Sequence, residues 1–171
     1  GLRGIRMSLA NPELFSIQLR AILRASFYGN VKIMYPMISD VQEVIQANSL
    51  LEKVKEEMRE KQIPFSDDIE IGAVIETPSA VICSDQILKE VDFISIGTND
   101  LIQYILAVDR MNEQVAHLYK PYNPAILKAL KHVFDNARIA GKKVSICGEL
   151  GGDPLATLFL LGLSNLDSLS M

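Results

Sequence analysis

Three short apolar runs break abruptly into polar turns, and that repeated break constrains the fold more than any other feature of the chain. Residues 71–75 break into Glu76-Thr77-Pro78, 93–96 into Gly97-Thr98-Asn99-Asp100, and 144–146 into Cys147-Gly148-Glu149. The runs do not alternate apolar with polar, and segments of helical spacing separate them. Strands that are apolar on both faces must be covered on both faces, so the pattern predicts parallel strands under helices. In such sheets the carboxyl ends of the strands carry the chemistry, because loops there present polar groups without disturbing the core.

The rest of the chain fits the same alternation. Residues 1–9 enter an apolar run with no initiator Met, which predicts a first strand-like run and a sequence that opens inside a domain. Asn11-Pro12 supplies an N-cap and a first-turn proline for a helix over about 12–27, with Phe15, Leu19, Ile22 and Phe27 at helical spacing until Gly29-Asn30. Residues 31–38 read as a buried strand closed by Pro36 near its end. Ser39-Asp40-Val41-Gln42-Glu43 matches a capping box and opens a charged helix to about 61, with Val44, Leu51, Val54 and Met58 as its inner face. After a loop at 63–68, strands are expected at 70–75, 92–96, 143–147 and 166–170. Helices are expected at about 79–90, 101–107, 124–140 and 154–161.

Six strand-like runs in 171 residues fall short of an eight-fold barrel, which needs about 250 residues. The expected fold class is therefore α/β, an incomplete (β/α)8 barrel holding the C-terminal five to six strand units, with an upstream portion missing; a complete doubly wound sheet is the competing architecture. A make-up of 49% hydrophobic and 22% charged residues is that of one globular domain with a real core. The net charge of -4 argues against a general nucleic-acid surface, so any bound anion must be held by a few local arginines or lysines. No apolar run approaches the roughly 20 residues of a membrane helix and no charged-then-apolar leader is present, which makes a cytoplasmic location the default expectation. Cys83 and Cys147, two and far apart, fit neither a disulfide framework nor a clustered metal site and read as reduced thiols.

Glu76 and Asp100 end successive strands, so their carboxylates can converge across one strand spacing of roughly 5 Å. Two hard oxygen ligands suit Mg²⁺, which keeps waters and completes its shell with substrate oxygens. Equally, Glu76 could cap the helix after Thr77-Pro78 and Asp100 the helix starting at Leu101. Arg110 and Arg3 can each offer a planar fork to a phosphate or carboxylate; the bland alternative is an arginine paired with Asp109 or solvated. Cys147, followed by Gly148 and by Gly151-Gly152, is the thiol best placed for a ligand, and a thiol protonated at neutral pH can serve as proton donor as well as nucleophile. Cys83 reads as a small buried apolar residue on a helix. His117 and His132 stand alone, and an isolated histidine is most often structural or solvated.

With these residues in place, the sequence resembles the phosphoenolpyruvate-binding C-terminal domain of the enzyme I family of phosphoenolpyruvate-protein phosphotransferases, over essentially the whole chain. The carriers are Leu2-Arg3-Gly4-Ile5-Arg6, the segment 18–26, Met34-Tyr35-Pro36-Met37-Ile38, the segment 71–78, Ser95-Ile96-Gly97-Thr98-Asn99-Asp100-Leu101, Ala107-Val108-Asp109-Arg110 and Cys147-Gly148-Glu149. Pyruvate phosphate dikinase and phosphoenolpyruvate synthase share the Gly-Thr-Asn-Asp and Cys-Gly-Glu turns. Ala107-Val108-Asp109-Arg110 followed by Asn112, and the segment 166–171, are closer to enzyme I.

The resemblance implies that Glu76 and Asp100 are Mg²⁺ ligands, that Asn99, Asp100 and Arg110 contact phosphoenolpyruvate, that Arg3 is a further active-site arginine and that Cys147 is the proton donor. It implies a barrel that also forms a homodimer, with the phosphoryl group passing to a histidine on the protein's own N-terminal domain and then to a small phosphocarrier protein. That histidine, two phosphate-clamping arginines and the first three barrel strands would lie upstream. Arg3 would then precede the fourth barrel strand, leaving five of the six runs as true strands. Rival readings are a dikinase or synthase domain, a magnesium-dependent pyruvate-enolate lyase that needs no protonating Cys147, and a non-catalytic dimerisation or regulatory module.

Overall fold

A computed structural model describes residues 1–163 and 166–170; Met171, the last residue of the segment 166–171, lies outside the described residues. Five strands form one sheet: β1 (Ile33–Tyr35), β2 (Ile71–Ile75), β3 (Phe93–Gly97), β4 (Lys143–Cys147) and β5 (Leu166–Ser170). Their spatial order is their sequence order, and every neighbouring pair is parallel. A doubly wound sheet reverses at a switch point and places consecutive strands out of order. Here the winding never reverses, so the sheet is an incomplete barrel, open at β1 and β5 among the described residues.

The helices are α1 (Ile5–Ala10), α2 (Pro12–Ser26), α3 (Val41–Glu60), α4 (Pro78–Ile82), α5 (Ser84–Glu90), α6 (Thr98–Leu106), α7 (Pro124–Ala140) and α8 (Pro154–Leu161). Side-chain caps set four of their starts. Asp40 and Glu43 close the capping box of α3, and Thr77, Asn123 and Asp153 accept from backbone N–H groups at the starts of α4, α7 and α8. Pleating then divides the sheet. Ala73, Ile75, Ile94, Ile96, Val144 and Ile146 join Leu19, Leu23, Leu51 and Phe134 in the core beneath the helices. The alternate positions carry Gly72, Val74, Ser95, Gly97, Ser145 and Cys147, smaller and more polar, and this inner face leads up to the polar turns.

Five expectations change. Residues 1–9 hold no strand: Gly4 turns the chain at φ 56°, Ile5 N–H donates to Pro36 O at 3.1 Å, and Ile5 and Leu9 share one side of α1 against the core. The strand expected over 31–38 shortens to three residues: pairing ends at Tyr35, Pro36 O turns to accept from Ile5 N–H, and Met37 takes a left-handed conformation (φ 59°). The helix expected over 79–90 is two helices broken at Cys83, which is partly exposed at the junction and not a buried core residue. Phe27 lies past the end of α2 and is 56% exposed, edge-on to Tyr28. The 101–107 helix begins earlier, at Thr98, which draws Asn99 and Asp100 into its first turn.

Candidate functional site

The site gathers at the carboxyl ends of β1 to β4. Glu76 follows β2 and is buried, with Oε1 accepting from Met37 N–H at 2.7 Å. The left-handed turn at Met37 is thus the backbone feature that supplies this donor. Burial pushes the Glu76 carboxyl above the ordinary carboxylate range; the Met37 hydrogen bond pulls it down, the Asp100 charge pushes it up and Arg3 pulls it down. Glu76 therefore senses both other groups. Arg3, just before α1, reaches Asp100 Oδ2 at 3.4 Å across ninety-seven positions of sequence.

Neither carboxylate caps a helix in the way the sequence left open. Thr77 caps α4 through Ala80 N–H at 3.2 Å, and Asp100 sits inside the first turn of α6. Both are thereby available to the space above the sheet. The Glu76 hydrogen bond engages Oε1, while Oε2 faces Gly97, where a Cβ would come within 2.6 Å. Among the described residues no group of three or more Asp, Glu, His or Cys gathers. The pair fits a hard divalent ion that takes two protein carboxylates and fills its shell with water and ligand oxygens, as Mg²⁺ does.

Asn99 bridges two turns: its Oδ1 accepts from Glu149 N–H at 3.0 Å, and its backbone oxygen accepts from the Tyr119 hydroxyl at 3.4 Å. Thr98 Oγ1 donates to Cys147 O at 3.0 Å, and Gly148, at φ 102°, leaves no room for a Cβ beside Thr98 and Asn99. Cys147 is half-buried; its sulfur accepts from Ser95 Oγ at 3.3 Å and donates to Ile96 O at 3.5 Å.

Arg110 arrives on the segment after α6, which ends at left-handed Ala107 and doubles back over the strand ends. Its guanidinium lies 3.7 Å from Glu149 Oε1 and not against Asp109, whose carboxylate accepts from Met111 N–H. Tyr119 stands beside it: burial raises its phenol, with Arg110 opposing and Glu149 and Asp100 adding to the rise. All six residues singled out from the sequence meet at this one end of the sheet. Met37, Ser95 and Glu149, which the sequence offered only within motifs and with no role of their own, complete it, as does Tyr119, a loop tyrosine that carries no pattern at all. His132 pairs with Asn136 one turn along α7, and His117 is exposed in the short turn Ala116–Leu118 before Tyr119.

A sequence profile described as the PEP-binding domain of PEP-utilising enzymes matches residues 1–171, the whole chain. The chain belongs to this family. Its relatives include proteins named phosphoenolpyruvate-protein phosphotransferase from Bacillus sp. (strain S), 53% identical over all 171 residues, from Listeria monocytogenes, 54%, and from Bacillus subtilis, 53%. The chain spans 29% of the first of these proteins and 30% of the other two. Among solved structures, a citrate lyase from Burkholderia xenovorans matches with a TM-score of 0.66 at 18% identity, over 91% of this chain and 50% of that one. A pyruvate kinase from Cryptosporidium parvum matches with a TM-score of 0.62 at 18% identity, over 91% of this chain and 30% of that one. At such identity these two likenesses speak for the fold alone, and they agree with a PEP-binding domain built as part of a barrel.

Proposed function

We propose that the chain is the C-terminal part of a phosphoenolpyruvate-binding barrel whose parent protein moves the phosphoryl group of phosphoenolpyruvate to a protein histidine and releases pyruvate, the first step of sugar uptake through a phosphotransferase system. The observation that carries this reading is the meeting of Glu76, Asp100, Asn99, Arg3, Arg110 and Cys147 at one end of the sheet, in a chain 53% identical to proteins named for that transfer.

In this reading Arg110 and Asn99 hold phosphoryl oxygens, and Arg3 adds positive charge while steadying Asp100. Glu76 and Asp100 would hold a Mg²⁺ ion, which would supply neutralisation of developing negative charge. Cys147 gives its S–H proton to the methylene carbon of the departing enolate: the S–H bond breaks, the enolate electron pair forms the C–H bond, and a thiolate remains to be reprotonated from solvent. The accepting histidine belongs to the parent's own N-terminal domain, from which a small phosphocarrier protein takes the group. The parent works as a cytoplasmic homodimer. Among the described residues no helix is long and apolar enough to cross a membrane.

The test uses a polypeptide of the relatives' full length. Cys147→Ala is expected to slow pyruvate formation about a hundredfold or more, the scale of a lost general acid. Mg²⁺-dependent phosphoenolpyruvate binding, followed by calorimetry, should survive the same change. Unchanged pyruvate formation would remove Cys147 from the chemistry.

A further inference from the structure

Ser95 is 3% exposed and lies in the middle of β3, between two core isoleucines and on the inner face of the sheet with Cys147. A buried hydroxyl must find a partner, and a strand serine usually takes a backbone carbonyl. Ser145 on the adjacent strand does so, donating to Ile94 O at 3.4 Å. Ser95 instead donates to Cys147 Sγ at 3.3 Å, and the same sulfur donates to Ile96 O at 3.5 Å. The sulfur is therefore held from two sides, by one donor and one acceptor, both supplied by β3.

We infer that Ser95 is a positioning residue for Cys147: it fixes the sulfur in the rotamer from which its proton is delivered and hydrogen-bonds the thiolate that remains. This rests on the proton-donor reading of Cys147. Before transfer the Ser95 O–H points at a neutral sulfur, a weak acceptor. When the S–H bond breaks and the C–H bond forms, the electron pair left on sulfur makes it a charged acceptor, and the same O–H bond strengthens. An interaction that is stronger after charge develops accelerates the step and leaves ground-state binding untouched. The Ser95 hydroxyl is spent on Cys147, so its effect belongs in turnover and not in affinity.

Two readouts separate the contact from the reaction. With Cys83→Ser, this chain keeps a single thiol, and its infrared S–H stretching band reports the surroundings of Cys147 directly. Ser95→Ala is expected to move that band, and Ser95→Thr, which keeps the hydroxyl, to restore it. In the full-length polypeptide, Ser95→Ala should lower the rate of pyruvate formation about tenfold to a hundredfold, the worth of a hydrogen bond to a charged group, with half-saturating phosphoenolpyruvate unchanged and activity recovered by Ser95→Thr. A band that stays in place in Ser95→Ala overturns the contact. A band that moves while turnover holds overturns the positioning role. Should Cys147→Ala leave pyruvate formation intact, the role of Ser95 in turnover falls with the proton-donor reading, while the infrared result still stands for the contact.

Discussion

Gly97 makes the space in which the Glu76 carboxylate sits: a Cβ at Gly97 would stand 2.6 Å from Glu76 Oε2 and 2.9 Å from Glu76 Cβ. Gly97 is the last residue of β3, and its φ of -80° is one any residue can adopt, so the constraint is steric and not conformational. Gly97→Ala is expected to displace the carboxylate and cost about 1–3 kcal/mol of stability through overpacking. Mg²⁺-dependent phosphoenolpyruvate binding should fall with it; a variant that binds metal and ligand as before would mean that the position of Glu76 does not matter.

Glu76→Gln separates charge from shape. The amide oxygen can still accept from Met37 N–H, and the buried position disfavours the charge in the first place, as the raised carboxyl reflects. Thermal unfolding should therefore show a Tm no lower than that of the unaltered chain, while the metal dependence of phosphoenolpyruvate binding disappears. Retained metal dependence would take Glu76 out of the ion's shell.

Arg110 contributes to binding far more than to folding. Its pairing with Glu149 spans 3.7 Å between exposed side chains, a contact worth about 0–1 kcal/mol. Arg110→Ala is expected to leave Tm within about 2 °C and to weaken phosphoenolpyruvate binding at least tenfold, since an arginine fork on a phosphate is among the stronger polar contacts. Equal loss of both would assign Arg110 to the fold.

Asp153 ties the start of α8 to the loop carrying Tyr119. Its carboxylate accepts from the Tyr122 hydroxyl and from Leu155 N–H at 2.9 Å, and these bonds, the first above all, hold it below the ordinary carboxylate range. A carboxyl that is more acidic when folded adds stability above its unfolded value, near 3.9, and loses that stability as pH falls through the folded value. Asp153→Asn keeps the cap but cannot titrate. On acidification from pH 6 to about 3, the unaltered chain should lose more of its Tm than Asp153→Asn does; identical losses would show that this carboxylate does not contribute to acid sensitivity.

Phe15, Leu19, Val44, Leu51, Val54 and Met58 were readable as core because helical spacing repeats within one element, and all six are buried. The strands β2 and β3 were equally readable as apolar runs that break into polar turns, while β4 and β5, Lys-Val-Ser-Ile-Cys and Leu-Asp-Ser-Leu-Ser, carry fewer apolar residues and were placed by the alternation of strands and helices. The first run misled because Gly1–Leu9 carries apolar residues at spacings that suit either period, and only contact with Pro36 and the core settles it as helix. Cys83 misled because nothing local announces the break between α4 and α5.

Within the site the division is similar. Glu76, Asn99, Asp100 and Cys147 announced themselves by standing where apolar runs end, and strand order does the rest. Tyr119 and Ser95 gave no signal, because a phenol twenty residues past Asn99 and a hydroxyl inside an apolar strand acquire partners only when β3, β4 and the loop after α6 come together.

The sequence by itself determined the alternation of strands and helices, the capping box of α3 and the end of the sheet where polar groups collect, since each follows from periodicity or from backbone chemistry within a few residues; the N-cap expected of Asn11 does not form, its side chain donating to Met7 O at 2.9 Å instead. Only the tertiary structure decided that the strands run in unbroken order and that Arg3 meets Asp100. It alone decided that Met37 supplies a donor to Glu76 and that Ser95 holds the sulfur of Cys147. Those are contacts between residues far apart in the chain, and their distances depend on how the sheet winds, which no local pattern encodes.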